Sequence, residues 1–240
     1  MNLAMRFKLC ALFLTPGLLV PGALSAQSFS LGTDVVSRYI WRGTDFGESV
    51  SLQPSLAFSA GGFEVGTWAS YSVSFDGAGA NEHDLWIGYT IDTGNESSFS
   101  FGVTDYYFPA PDTAYNFFNY SGDGEGAHWI EPYVGYTGPA SFPLTLYGTL
   151  FAHNDPDNSI YLEASYPFRV DGVELGLTAG AVANESAFYG TEGFAFVNLG
   201  LSATKEISFS EQFTVPVSVA YILNPDQERS FLVVGFGISL

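Results

Sequence analysis

The sequence predicts an all-β fold, a transmembrane antiparallel up-and-down β-barrel of about 12 strands. Three observations lead there. Segment after segment keeps one apolar parity, and no long stretch follows a helical period. The connections alternate between short and long. Charged residues are only 13% of a chain that is 47% hydrophobic and 17% aromatic, roughly half the charged fraction of an average globular protein. A surface half in contact with lipid has that composition. A secreted β-sandwich shares it, so parity and loops carry the decision.

Residues 1–26 read as a signal peptide. Arg6 and Lys8 form the positive start, residues 9–20 the apolar middle, and Ala23, Leu24, Ser25 and Ala26 the small-residue end. Pro16, Gly17 and Pro21 interrupt the segment, whereas a membrane anchor needs about 20 apolar residues. Cys10 follows Lys8 and Leu9 instead of small residues, so it does not read as a lipid-attachment site. Residues 27–240 then form one barrel domain. Removing Arg6 and Lys8 takes the formal net charge from −18 to −20 and leaves no cysteine, hence no disulfide framework. That acidity argues against nucleic acid as a partner. No later segment has the apolar length of a transmembrane helix, so a spanning chain must close its hydrogen bonds as a barrel.

In chain order, residues 29–43 open the pattern. Phe29, Leu31, Thr33, Val35, Tyr39 and Trp41 share one face; Ser30, Gly32, Asp34, Arg38 and Arg42 share the other. Residues 49–60 alternate most regularly, and Gly61-Gly62 turns the chain. Residues 63–75 put Val65, Ala69, Tyr71 and Val73 opposite Glu64, Gly66, Trp68 and Ser70. A wide loop over 76–82 leads to 84–92, with Leu85, Ile87, Tyr89 and Ile91 outward, then a tight turn at 93–96. Strands over 97–107 and 129–137 flank the longest loop, 108–127. Strands over 142–152 and 160–168 flank the loop 153–158. Asp171-Gly172 is a hairpin turn. Residues 173–183 precede a loop over 184–193. A strand holding Val197, Leu199 and Leu201 on its outer face follows, with a turn at 205–208. Residues 213–223 and 231–240 complete the set. The even count places both ends beside the short turns and the longer loops opposite, as in bacterial outer-membrane barrels.

Aromatics concentrate at strand ends. Phe29, Phe58, Phe63, Phe99, Tyr136, Phe142, Tyr166 and Phe168 fall outward on the short-turn side; Tyr39, Trp41, Tyr71, Tyr107 and Tyr221 fall outward on the loop side. Two such girdles suit the two membrane interfaces. Leu232, Val234, Phe236, Ile238 and Leu240 alternate to the carboxyl end, a pattern similar to the terminal signal read by the barrel assembly machinery, although Leu240 stands where an aromatic is usual.

The heptapeptide SRYIWRG at 37–43 and SLQPSLAFS at 51–59, with the leader and the total length, resemble the TorF-type porin family, bacterial outer-membrane conserved proteins of unknown function. The likeness is densest over residues 30–75. It implies a barrel in the bacterial outer membrane that acts as a channel, and it brings no catalytic residue, cofactor or substrate.

The inward face then lines the lumen. Asp34, Arg38, Glu131 and Glu163 fall at middle or upper depth, Arg42 and Asp84 near the loop end, and Glu64 and Glu174 near the short turns. Opposed carboxylates and an arginine in a narrow barrel set a transverse field that selects polar solutes; the same groups can instead cement a plugged barrel, since a buried carboxylate needs a cation. Trp68, Trp86, Trp129 and Tyr133, with Tyr147 and Tyr161, narrow or fill the lumen. About 12 strands lie between barrels filled by side chains and barrels with a wide aqueous pore.

The loop 109–127 holds Tyr115, Phe117, Phe118 and Tyr120, aromatics suited to a constriction at the barrel mouth or to packing on neighbouring loops; its SGDGEG lacks the liganding spacing of an EF-hand. There is no GxSxG and no HExxH, and His83, His128 and His153 fall in or beside loops as solvated side chains. The chain therefore reads as a passive, cation-leaning channel for small polar solutes, without cofactor, metal or catalysis. The alternatives are a closed structural or adhesive barrel and, more distantly, a secreted carbohydrate-binding sandwich.

Overall fold

The computed structural model describes residues 27–74, 81–109, 117–210 and 213–239. The expected signal peptide lies outside them, as do Tyr115 and Leu240. The strands in chain order are β1 (Ser28–Val36), β2 (Tyr39–Trp41), β3 (Thr44–Gly47), β4 (Ser51–Ala60), β5 (Phe63–Ser72), β6 (Glu82–Gly94), β7 (Ser97–Tyr107), β8 (His128–Thr137), β9 (Thr145–Leu150), β10 (Ile160–Val170), β11 (Val173–Val182), β12 (Glu185–Ser186), β13 (Thr191–Glu192), β14 (Ala195–Ser208), β15 (Thr214–Asn224) and β16 (Arg229–Ser239). Twelve of them form a closed antiparallel barrel in sequence order. β1 seals it by pairing with β4 on one side and β16 on the other. Closure satisfies every wall strand's edge, which is the condition for a sheet to face hydrocarbon.

The predicted parity holds around the wall. Leu31, Leu56, Leu85, Ile87, Phe101, Val134, Leu162, Leu177, Leu201 and Val234 all stand on the exterior and are exposed. Their inward neighbours include large aromatics and carboxylates toward the loop end and many glycine, serine or threonine residues in the short-turn half. The lower aromatic girdle is present as cross-strand pairs: Phe29 with Phe58 at 5.0 Å, Phe99 with Tyr136 at 4.9 Å and Phe142 with Tyr166 at 5.6 Å. Two-residue turns close the narrow end, with positive φ at Gly61 and Gly62 and at Asp171 and Gly172, the mirror-image turn that matches strand twist.

Three expectations are corrected. Tyr39 and Trp41 do not join the upper girdle; both are buried inside the barrel. The first strand ends at Val36, where the Ser37 hydroxyl and backbone N–H bond across to Val234, and the chain then doubles back as the separate hairpin β2–β3. Val197 points inward because a bulge opposite Gly180 and Ala181 inserts one residue and flips the parity. The expected turn at 205–208 is instead the end of β14, which continues to Ser208.

The upper exterior belt keeps the expected Tyr71 and Tyr107 and adds two histidines. Tyr71, His83 and Tyr107 contact in series, and Tyr107 stacks on His128 at 4.9 Å. Residues 117–120 of the long loop lie over this outer face. Tyr120 stacks on His128 at 3.9 Å, and Phe117 packs against both His128 and Tyr107. Phe108, at the start of the same loop, stacks instead on Phe46 of the inner hairpin at 6.2 Å. His128 is wholly buried, not solvated; Nδ1 contacts Asp105 at 2.8 Å and Nε2 contacts the Phe117 carbonyl at 2.6 Å.

Leu201→Arg on the lipid face should cost about 2–4 kcal/mol of stability in lipid vesicles. Ser100→Arg, which faces the lumen, should cost less than half of that; urea titration of the vesicle-inserted barrel measures both.

Candidate functional site

The candidate site is the lumen at the depth of the β2–β3 hairpin. Arg42 and Gly43 make its turn, both at positive φ. A side chain at Gly43 is impossible, because its Cβ would fall 1.8 Å from the Val197 carbonyl oxygen of β14. The hairpin thereby carries Arg42 deep into the barrel. There Nη1 and Nη2 donate to the two Glu131 oxygens at 2.7 and 2.8 Å, a bidentate pair, and Nη1 also donates to the Tyr189 hydroxyl at 2.8 Å. The Tyr106 hydroxyl donates to Glu131 at 3.0 Å. The guanidinium lies 4.2 Å from the Trp41 ring and 4.4 Å from the Tyr161 ring.

Around this pair the aromatics form one packed cluster. Trp41 touches Tyr106, Phe151, Phe188 and Tyr189, and Tyr39 touches Trp68 and Phe46. Tyr189 reaches inward from the small β12–β13 hairpin and stacks on Tyr161 at 5.9 Å. The Asn224 amide donates to the Gly43 carbonyl at 3.2 Å. The inner hairpin is therefore held by β5, β7, β8, β10, β14 and β15, strands spread around the wall. It occupies the mouth as a plug.

Of the residues expected to line the lumen, Arg42, Glu131 and Glu163 come together. Glu163 accepts from the Tyr161 hydroxyl and, at 3.3 Å, from the Asn198 amide. Arg38 does not sit at mid-depth. It stays near the rim, bonded to Asp45 of its own hairpin and 3.8 Å from Glu48, with Arg229 sharing Asp45 at 3.5 Å. The doubling-back of the chain exchanges the depths expected for Arg38 and Arg42. Asp34 lies apart from them, opposite Gln53 of β4, and leans over Gly237 of β16, where a Cβ would meet its carboxylate at 2.1 Å.

Trp68 joins the cluster, and Trp129 packs on Phe151 and Phe188. Trp86 donates to Glu64 at 2.9 Å below it. Tyr133 spreads over Gly88 and Gly102, neither of which could carry a Cβ beneath its ring. Sequence reasoning missed Glu82, expected in a loop but buried in β6 beside Asp84, and it missed Tyr106, Tyr189 and Gln53. Parity alone points Tyr106 and Gln53 inward; nothing local marks Tyr189, which belongs to a connection.

The comparisons can now be set beside this geometry. The family described as "Bacterial protein of unknown function (Gcw_chp)" matches residues 21–232. The chain belongs to that family. No curated protein matches it. Among solved structures, Pseudomonas aeruginosa OccK1 (OpdK) is similar at 11% identity and a TM-score of 0.44, covering 89% of this chain and 66% of that one. P. aeruginosa OpdK with vanillate gives 11%, 0.44, 89% and 65%. Pseudomonas putida OprB gives 14% identity and a TM-score of 0.35, covering 80% and 59%. The chain thus spans less than two thirds of the length of these barrels.

Removing one member of a buried ion pair strands the other. Glu131→Gln should destabilise the barrel by about 3–5 kcal/mol, read from the urea midpoint in detergent. The double variant Arg42→Met with Glu131→Gln should recover most of that loss.

Proposed function

We propose that this member of the Gcw_chp family is an outer-membrane channel for passive entry of small polar solutes, leaning to cations, as its TorF-type sequence likeness implies. The closed barrel with an apolar exterior and aromatic girdles supports a place in the bacterial outer membrane, reached through the barrel assembly machinery. The observation that carries the channel reading is the inward hairpin. A barrel that serves only as a scaffold does not need a separate two-stranded element threaded into its lumen and latched by Arg42 and Glu131. An in-folded loop that narrows the lumen gives size selection. The excess of inward carboxylates (Asp34, Glu64, Glu82, Asp84, Glu163) over inward cations favours cations. The reading involves no catalysis and no cofactor.

A second reading has its own observation. The cluster of Tyr39, Trp41, Trp68, Tyr106, Phe151, Tyr161 and Tyr189 is as buried as a protein core. It suits a closed structural or adhesive barrel whose loops do the work.

Planar-bilayer recording of the purified protein over a potassium chloride series separates the two. The channel predicts discrete small steps with a cation-selective reversal potential, and larger steps in Arg42→Ala, where the latch is gone. Insertion without steps in either protein would leave the structural barrel as the better account.

A further inference from the structure

The plug does not fill the lumen evenly. Its aromatic flank packs on β5–β10, where Glu82, Asp84, Glu131 and Glu163 also lie. Its other flank is Ile40, which meets Ala220, Ile222, Phe231 and Val233 of β15 and β16. Beneath Ile40 and Tyr39 is a cavity of about 50 Å³, room for on the order of four waters. Its walls are apolar at Val36, Ile222 and Val233 and hydroxylated at Ser202, Thr204 and Ser218.

Gln53 of β4 lines this cavity. Its side chain is buried, and neither its amide nitrogen nor its amide oxygen has a hydrogen-bond partner among the described residues. A buried amide with both ends empty is costly, so it marks a place where something polar sits. Arg38 lines the cavity too, and its side chain is 34% exposed at the rim, so the space reaches toward the mouth. Gln53 stands opposite Asp34 of β1, and Gly32, Ser55 and Gly237 continue the wall from there toward the short turns. Arg38 is the one charged residue on the lining itself and is paired with Asp45, and the Asp34 carboxylate stands next to Gln53 across β1 and β4.

We propose that solutes pass along this cleft, between the inner hairpin and the β14–β16, β1 and β4 wall, and that Gln53 reads them. The solute class is a small polar molecule without negative charge that carries a hydroxyl or amide, able to donate to one end of the Gln53 side chain and accept from the other. This rests on the channel reading and assigns its route and its specificity residue.

Single cysteines placed in a Cys10→Ser background test the route, with the protein reconstituted in phosphatidylcholine vesicles. The reagent is iodoacetamide, itself a small uncharged amide, and alkylation is read by intact mass. Thr204→Cys and Ser218→Cys should be alkylated and should then admit erythritol more slowly in a vesicle-swelling assay. Thr104→Cys, on the far wall beside Glu131, should stay unmodified. Gln53→Leu should slow erythritol entry about fivefold, the worth of one hydrogen bond. The proposal is overturned if wild-type vesicles swell while Thr204→Cys and Ser218→Cys stay unmodified, if their alkylation leaves swelling unchanged, or if folded Gln53→Leu admits erythritol at the wild-type rate. In each of those cases the channel itself stands. Wild-type vesicles that neither swell nor conduct would instead remove the channel reading, and this route with it.

Discussion

The Arg42–Glu131 pair is the interaction on which the interior depends. A guanidinium and a carboxylate, both buried, meet at 2.7 Å in a lumen otherwise crowded with rings. Desolvating two charges costs several kcal/mol each, and the pair recovers that only with good geometry and further hydrogen bonds. Both conditions are met: the contact is bidentate, Tyr106 and Tyr189 occupy remaining positions, and two aromatic faces cover the cation. Such a pair adds less to net stability than to choice of arrangement. The inward course of residues 37–50 supplies Glu131 with its bidentate cation.

From that anchor the rest of the lumen follows. The hairpin turn must bring Arg42 to β8, so Gly43 must pass close to the β14 backbone, and the bulge at Val197 lies at that same point. Trp41 and Tyr39 are carried in with the turn and organise the aromatic cluster on one side. Ile40, between them in sequence, necessarily faces the other way, toward β15 and β16. The alternation of a three-residue strand thus divides the lumen into a ring-packed, acidic half and a small, hydroxyl-lined half. The arrangement resembles a protein core on one side and, on the other, a cleft with both apolar and hydroxyl-bearing walls.

Much of this was legible in the chain. Period-two alternation identified the outward residues of the wall because a lipid-facing strand has one apolar face from end to end, and the short turns carried their own glycine chemistry at Gly61-Gly62 and Asp171-Gly172. Trp68, Trp129, Tyr133, Glu131 and Glu163 were placed inside by the same counting. The counting failed where a strand stopped or slipped. Tyr39 and Trp41 keep the parity of β1 on paper, but the chain reverses before them, and parity says nothing about a reversal. Val197 fails for a related reason, since one inserted residue inverts every position beyond it.

Strand count, the short-turn and loop ends and the apolar exterior follow from local alternation and turn residues, which need no partner to be read. What occupies the lumen depends on contacts between distant parts of the chain. Arg42 and Glu131 are 89 positions apart, and Tyr189 reaches them from a connection without periodicity. Contacts of that span are fixed by how closure brings separate strands to one depth, and by the demand that a buried charge find its counter-charge there. No local pattern encodes either.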